Sequence, residues 1–345
     1  MAKPRDPWFD NIKMTLVTLV VVGHSWTLLP HNTANDWAYD FLYAWHVPAF
    51  VTITGYLSRS FAWTPAKLMA LVRTVAVPYV IFEAALAIFR YQVGGVQLDD
   101  LFADPHWPMW YLSALFFWRL MAPVFLGLPK PVALVLAVVI SLVAGLWAGN
   151  ILDVARILGL LPFFVLGLTL SGREWGWIRV RRAVPLALVG VVVILVFTRY
   201  TDSWINTEWY YYRSRYDTLD PNDLKAVAIR AVLLCIGLIG TASVFTLVPR
   251  GRSWFATLGA ATLVVYLYHG FFVLSAQYEG FPDWADRHVV ASFVVTTLAA
   301  VTLALALASP PVARILHVAV DPVGWLVRRR EAMEGAARAS EGGPG

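Results

Sequence analysis

Long apolar runs recur along the 345-residue chain and constrain its fold more than any other feature. A helix that crosses the hydrocarbon core of a bilayer needs about 20 mainly apolar residues, because hydrocarbon offers the backbone no hydrogen-bond partners. Hydrophobic residues make up 59% of the chain, charged residues only 14%, and the mean hydropathy is +0.63. The sequence therefore predicts an all-α, polytopic integral membrane protein with ten transmembrane helices near residues 12–30, 38–58, 67–92, 108–126, 131–148, 155–171, 183–199, 224–248, 256–276 and 289–309.

Lysine and arginine collect in alternate connections, which predicts the orientation, since short cytoplasmic loops carry the excess of these residues. With the N-terminus inside, the inside set is Lys3, Arg5, Arg59, Lys67, Lys130, Arg173, Arg179, Arg181, Arg182, Arg250, Arg252 and Arg328 to Arg330. The opposite connections carry acids, among them Asp36, Asp99, Asp100, Asp104, Asp217, Asp220, Asp223, Glu279, Asp283 and Asp286. We expect cytoplasmic termini in a multi-pass protein of the plasma (inner) membrane. The net charge of +5 then reflects topology and contact with the lipid bilayer, and indicates no nucleic-acid partner.

The chain divides into a transmembrane domain and a short tail. Residues 1–327 form the predicted transmembrane domain, and residues 328–345 form a tail that is basic and then disordered. Segment 200–223 is the one connection large enough to form a lid. No fixed-period repeat relates the halves, which counts against the common transporter architectures.

The first predicted span carries a cation and an imidazole on one face. His24 follows Lys13 by eleven residues, which at about 100° each is about 20° beyond three turns, with a rise of about 16 Å. A cation at the cytoplasmic mouth of a cavity suits a phosphate-bearing substrate. Neutral imidazole deeper in the membrane can act as general base or nucleophile. The alternative is that Lys13 only anchors the helix and His24 only bonds another helix.

Two further spans carry polar residues that are costly at membrane depth. His46 opens the second span and gains importance if it shares a cavity with His24, while Tyr56 and Arg59 lie at the other end of that span. In the third span, Arg73 is placed to snorkel or to bind an anion. Glu83 lies deeper and needs either a polar cavity or a basic partner, for which Arg119 and Arg230 are candidates.

Aromatic residues and one more histidine mark the outer side of the predicted membrane domain. Trp107, Trp110 and Tyr111 fit the aromatic belt of a membrane interface, and they equally fit a platform on which a sugar ring stacks. His269, toward the outer end of the ninth span, is expected to make a hydrogen bond in the core.

Several familiar sites are not indicated. The chain has no GxSxG, GxxxxGK[ST] or HExxH motif and no EF-hand loop, and its single cysteine excludes an intrachain disulfide. A metal site built from His24, His46 and His269 lacks a carboxylate or thiol at ligand spacing, so we expect no metal. The alternative function is a secondary transporter or flippase in which His24 and Glu83 relay protons. A further alternative is a partner-dependent or degenerate protein that binds its ligands without catalysis.

Six segments, in order, carry a family resemblance: "FDNIKMTLVTLVVVGHSW", "WHVPAFVTITGYLSR", "VRTVAVPYVIF", "MWYLSALFFWRL", "LPFFVLGL" and "VVYLYHGFF". Together they resemble the membrane-bound acyltransferase 3 family, in particular the branch of fucose 4-O-acetylase and related acetyltransferases. The resemblance runs from about residue 9 to 310. The basic residue and histidine of the first span are its most specific element.

The resemblance implies an enzyme that transfers an acyl group, usually acetyl, from cytoplasmic acyl-CoA to a hydroxyl of a sugar or other acceptor at the outer face. It implies that His24 is catalytic, that Lys13 is its basic partner, and that Tyr56 belongs to the family's GY element. Arg73 matches the second arginine of the family's RxxR, whose first position is Ala70 here. We therefore expect acyl-CoA phosphates on Lys13, Arg59 and Arg73, and the acceptor near His46, Trp110 and Tyr111. Tyr56, Glu83 and His269 are further cavity candidates.

Overall fold

The computed structural model describes residues 6–97 and 102–341. Within these ranges the chain forms helices joined by turns and loops, and no strand occurs there. Lys3, Arg5, Asp99 and Asp100, on which part of the predicted orientation rests, lie outside the described residues.

The first third of the chain forms several helices, and the first of them carries Lys13 and His24. α1 (Pro7–Trp26) starts where the Asp6 side chain accepts a hydrogen bond from the backbone N–H of Trp8, with Pro7 as first helical residue. A short helix, α2 (Thr33–Tyr43), precedes α3 (His46–Ser58). α4 (Pro65–Leu71) continues through a π-helical stretch (Val72–Ala76) into α5 (Val77–Gly94). Pro78 follows that stretch and has no N–H to donate, which accounts for the irregularity.

The remaining helices surround the first group. They are α6 (Trp110–Leu126), α7 (Lys130–Ala144), α8 (Val154–Gly159), α9 (Leu161–Thr169), α10 (Gly172–Ile178), α11 (Val184–Tyr200), α12 (Thr207–Tyr211), α13 (Tyr216–Leu219), α14 (Asp223–Leu247), α15 (Trp254–Leu258), α16 (Thr262–Tyr278), α17 (Phe281–Arg287), α18 (Val289–Ala308), α19 (Pro310–Val320) and α20 (Pro322–Glu341). Short 3₁₀ turns occur at Ile151–Asp153 and Arg181–Ala183. α1 lies centrally and packs against α3, α15, α16 and α18.

Each predicted span overlies helix, but the helices differ in length and polarity. Within the described ranges, four helical stretches are long and apolar enough to cross a membrane: Pro65–Gly94, Arg181–Tyr200, Asp223–Leu247 and Val289–Ala308. A fifth results if Ile151–Gly159 and Leu161–Thr169, bent by 56°, form one broken span. α1 carries polar residues and α3 has only 13 residues, so neither qualifies by composition or length. The total of ten spans and the cytoplasmic side of the termini stay predictions.

Two parts of the chain differ from expectation. The predicted second span, 38–58, is divided between α2 and α3, and His46 begins the second of these helices. The sequence predicts that the tail, residues 328–345, is basic and then disordered. In the structure α20 continues as a helix as far as Glu341. Its alanine, glutamate and arginine residues are strong helix formers, which explains the continued helix.

Close contact between α3 and α9 depends on two glycines. A Cβ atom on Gly167 would lie 1.9 Å from the carbonyl oxygen of Thr52, and one on Gly55 would lie 2.0 Å from that of Phe164. Only residues without a side chain allow two helix backbones to approach this closely. The contact holds α3, and with it His46, against the interior of the protein.

Candidate active site

Two cavities lie along α1, one toward each end of the helix. The His24 cavity has a volume of about 230 Å³, and the Lys13 cavity has a volume of about 240 Å³. Phe50, Tyr111 and Tyr266 line both cavities. Lys13 and His24, which the sequence predicts to lie on one face of α1, therefore line two different cavities that share a wall.

His24 is held in one orientation by a chain of hydrogen bonds. Its Nδ1 lies 2.8 Å from Nε2 of His269, whose Nδ1 lies 2.7 Å from the backbone oxygen of Tyr266. A carbonyl oxygen only accepts, so His269 donates from Nδ1, and its neutral ring then accepts at Nε2. His24 consequently donates from Nδ1 and keeps the lone pair on its own Nε2. This is the tautomer required of a base or nucleophile acting through Nε2.

His46 lines the same cavity as His24, which is the condition under which we expect it to be functional. It is 1% exposed, and its Nδ1 donates to the backbone oxygen of Leu42 at 2.8 Å. The neutral ring of His46 therefore also has its lone pair on Nε2. The structure thus brings two histidines with the same tautomer to one chamber.

Aromatic rings form much of the His24 cavity. Trp107 lies with its ring centroid 4.5 Å from that of His24, and Trp110 and Tyr111 also line the chamber. All three are half-buried and line the chamber, which is the position that the sugar-platform interpretation requires. The guanidinium of Arg156 lies 5.0 Å from the ring centroid of Trp110. Flat apolar faces beside polar groups suit a ligand with a ring and hydroxyl groups.

Segment 200–223 covers the His24 cavity, as a lid would. Tyr210, Tyr211 and Arg213 line the chamber from this segment. Tyr211 is joined to α2 by a 2.9 Å hydrogen bond between its hydroxyl and that of Tyr39. Arg213 binds both carboxylate oxygens of Asp104, at 2.8 and 3.1 Å. Burial raises the pKa of Tyr210 and of Tyr211, so these groups remain neutral hydroxyls at physiological pH.

The Lys13 cavity contains two cationic side chains. Lys13 forms an ion pair with Asp10 at 2.8 Å, and Arg119 reaches the same chamber from α6. Sequence reasoning considered Arg119 only as a partner for Glu83. A usable signal was present, because Leu112, Leu115 and Arg119 follow helical spacing on one face of α6, and all three line this cavity.

Arg59, Tyr56 and Arg73, all predicted to lie near the donor or in a cavity, line neither chamber. The Arg59 guanidinium lies 3.7 Å from the centroid of the Tyr56 ring and donates to the backbone oxygen of Leu170 at 3.0 Å. Tyr56 stacks on Phe9 with centroids 4.5 Å apart. Arg73 binds both carboxylate oxygens of Asp321, at 2.8 and 2.9 Å. These contacts join helices to one another.

Glu83 is buried, and neither Arg119 nor Arg230 is its partner. Its Oε1 accepts the backbone N–H of His106 at 2.8 Å. Arg230 instead lies under the rings of Tyr212 and Tyr216, at 4.5 and 5.5 Å. Burial lowers the pKa of His106 to about 4, so the residue that donates to Glu83 has a neutral ring at physiological pH. The proposed pairing of Glu83 with a basic residue on another helix is wrong for these two arginines.

No cluster of three or more histidine, cysteine, aspartate or glutamate side chains is arranged to hold a metal ion within 6–97 and 102–341. The polar side chains at the His24 cavity are imidazoles, phenols, indoles and guanidiniums, together with the Thr27 hydroxyl and the Glu208 carboxylate.

These features define a class of membrane protein in which a buried histidine lines one of two chambers that share a wall. The chain belongs to the acyltransferase 3 family, because the family profile, described as an acyltransferase domain, matches residues 6–309. Membership and the apolar helices together make it a multi-pass membrane protein of the acyltransferase class.

One characterised relative is similar over a short stretch. The chain is 41% identical to Nodulation protein NolL of Sinorhizobium fredii (strain NBRC 101917 / NGR234) over 61 residues, 16% of this chain and 17% of that protein. The similarity therefore spans well under a fifth of the length of this relative. No solved structure matches the chain.

Proposed function

We propose that this protein is a membrane O-acyltransferase. It would move an acyl group, acetyl in the simplest case, from cytoplasmic acyl-CoA to a hydroxyl of a sugar or glycosylated acceptor at the outer face. The observation that carries the proposal is the His24 Nε2 lone pair, fixed by His269, in a chamber that shares a wall with a second, cationic chamber. Family membership supports the acyl-transfer chemistry.

The donor enters the Lys13 cavity in this proposal. Lys13 and Arg119 provide positive charge for the phosphates of acyl-CoA, and Leu112 and Leu115 provide apolar surface for its flexible arm. We place Arg119 in the role that the sequence suggested for Arg59 and Arg73, because those two side chains are bonded to protein groups outside the chamber.

The acceptor enters the His24 cavity beneath segment 200–223. Trp110 and Tyr111 provide ring faces, and the polar edges of His46 and Tyr211 hydrogen-bond hydroxyl groups. A chamber of about 230 Å³ accommodates one sugar ring of a larger acceptor.

The reaction then follows from the position of His24. Nε2 removes the proton from the acceptor hydroxyl as its oxygen attacks the thioester carbonyl carbon. The carbon–sulfur bond breaks, the new carbon–oxygen ester bond remains, and the proton passes from His24 to the leaving CoA thiolate. His269 stabilises the transient imidazolium by accepting from Nδ1 throughout.

The test is transfer of labelled acetyl by the purified protein in proteoliposomes. Acetyl-CoA labelled in the acetyl group is supplied with a panel of methyl glycosides, beginning with methyl α-L-fucopyranoside, and products are identified by mass spectrometry. We expect labelled ester with the unaltered protein, and loss of at least about 100-fold in rate for His24→Ala. His288→Ala, an exposed histidine stacked on Trp284, is the matched control. Full acetylation by His24→Ala at equal protein levels would disprove the proposal.

No observation favours the transporter alternative. Glu83, the second member of the suggested proton relay, lies outside the His24 cavity and accepts a backbone N–H. Movement of a glycoside across the bilayer without ester formation, in the same proteoliposomes, would decide for that alternative.

A further inference from the structure

Three aromatic side chains separate the two cavities and border both of them. Phe50 comes from α3, Tyr111 from α6 and Tyr266 from α16, and we call these three residues the partition. His24 lies on one side of the partition, and Lys13 and Arg119 lie on the other. A reacting acyl group must therefore meet these rings.

The two tyrosines of the partition are anchored by their hydroxyl groups. The Thr54 hydroxyl donates to the backbone oxygen of Phe50 at 2.8 Å, so the Tyr111 hydroxyl is the donor in its hydrogen bond to Thr54. The Tyr266 hydroxyl donates to the backbone oxygen of Pro108. Both rings are thus held at their far ends as well as at the backbone.

Phe50 is held differently, by packing alone. Its ring centroid lies 5.0 Å from that of Tyr111 at an interplanar angle of 78°, and Tyr111 lies 5.4 Å from Tyr266 at 62°. Such edge-to-face contacts fill the space between the two cavities, so the size of the rings determines how much room is left at their junction. Phe50 is the member whose volume can be changed without removing a buried hydrogen bond.

We infer that the partition selects the length of the transferred acyl chain. The inference rests on the proposed function and adds the substrate specificity of the donor. With the CoA phosphates in the Lys13 cavity and the acceptor hydroxyl at His24, the acyl group lies at the junction, against Phe50, Tyr111 and Tyr266. Each further methylene competes for the volume of these rings, so short chains, acetyl first, are transferred and longer ones are rejected.

The experiment compares acetyl-, propionyl-, butyryl- and hexanoyl-CoA, with methyl α-L-fucopyranoside as acceptor and released CoA thiol as readout. The unaltered protein should favour acetyl. One methylene in an apolar pocket changes kcat/KM by about 10-fold or more, so Phe50→Ala should raise the butyryl-to-acetyl ratio by at least about 10-fold. Phe50→Trp should shift the preference in the opposite direction, against propionyl.

Controls separate this inference from general damage and from the proposed function. Phe116→Ala removes a ring from the same helix as Tyr111 that lines neither cavity, and it should leave the ratio unchanged. If Phe50→Ala loses all activity, the milder Phe50→Leu is measured instead. An acyl-length ratio identical to that of the unaltered protein in an active Phe50 variant overturns the inference, while the acetylation assay with His24→Ala judges the proposed function by itself.

Discussion

Nδ1 of His24 lies 2.8 Å from Nε2 of His269, although 245 positions separate the two residues in the chain. His269 is completely buried and its own Nδ1 is bonded to the carbonyl of Tyr266. The pair therefore acts as a unit in which the backbone of α16 determines which nitrogen of His24 faces the chamber.

His269→Ala should lower kcat by about 10- to 100-fold, because His24 then loses both its orientation and the acceptor for Nδ1–H. KM for acyl-CoA should stay unchanged, since Lys13 and Arg119 are unaffected. His269→Gln, whose amide oxygen can accept the same hydrogen bond, should recover part of the lost rate. Steady-state kinetics with the exposed His288→Ala as control provide the measurement. If His269→Ala lowers only the amount of folded protein and kcat is preserved, the role of His269 is purely structural.

Lys13→Ala and Arg119→Ala should each raise KM for acyl-CoA by about 10-fold or more, because a hydrogen bond to a charged group is worth at least about 1.5 kcal/mol. The acceptor KM should stay unchanged in both variants. Arg59→Ala is the informative control, since its guanidinium covers Tyr56 outside the cavity. The opposite pattern, with KM raised only by Arg59→Ala, would move the phosphate site to the C-terminal end of α3, beside Arg59.

Helical phase was sufficient to predict the relation between Lys13 and His24, because both residues belong to one helix. Apolar runs were also sufficient to predict where helices occur, since burial in hydrocarbon demands long internally bonded segments, although the second predicted span is divided between α2 and α3. His46 was expected to be functional only if it shared a cavity with His24, and both residues do line one cavity.

Contacts between distant helices could not be read from the chain. The bond from His24 to His269 and the common wall of Phe50, Tyr111 and Tyr266 arise from the packing of α1, α3, α6 and α16. Arginine side chains were similarly ambiguous, since a guanidinium serves equally in an ion pair, over a ring or beside a phosphate. Arg73 was expected to bind the donor and Arg119 to pair with Glu83, whereas Arg73 is bonded to Asp321 and Arg119 lines the Lys13 cavity.

Gly167→Ala should lower the free energy of unfolding by about 1–3 kcal/mol or more, because the added methyl group overlaps the carbonyl of Thr52 and must push α3 and α9 apart. Gly176→Ala is a matched control, since Gly176 is helical in α10 and no atom lies within 4 Å of its would-be Cβ. Thermal midpoints in detergent, followed by size-exclusion chromatography, provide the comparison. Equal midpoints for the two variants would show that the α3–α9 contact is not as close as described.

The last prediction concerns the order of events at His24. Two chambers with a common wall can hold donor and acceptor together, and the His24 lone pair lies on the acceptor side, so we expect direct transfer within a ternary complex. Initial rates at varied acetyl-CoA and acceptor should then give intersecting double-reciprocal lines. No label should remain on the protein when labelled acetyl-CoA is supplied without acceptor and the reaction is stopped within one turnover. If His24 instead carried the acetyl group, parallel lines and a labelled peptide containing His24 would be found.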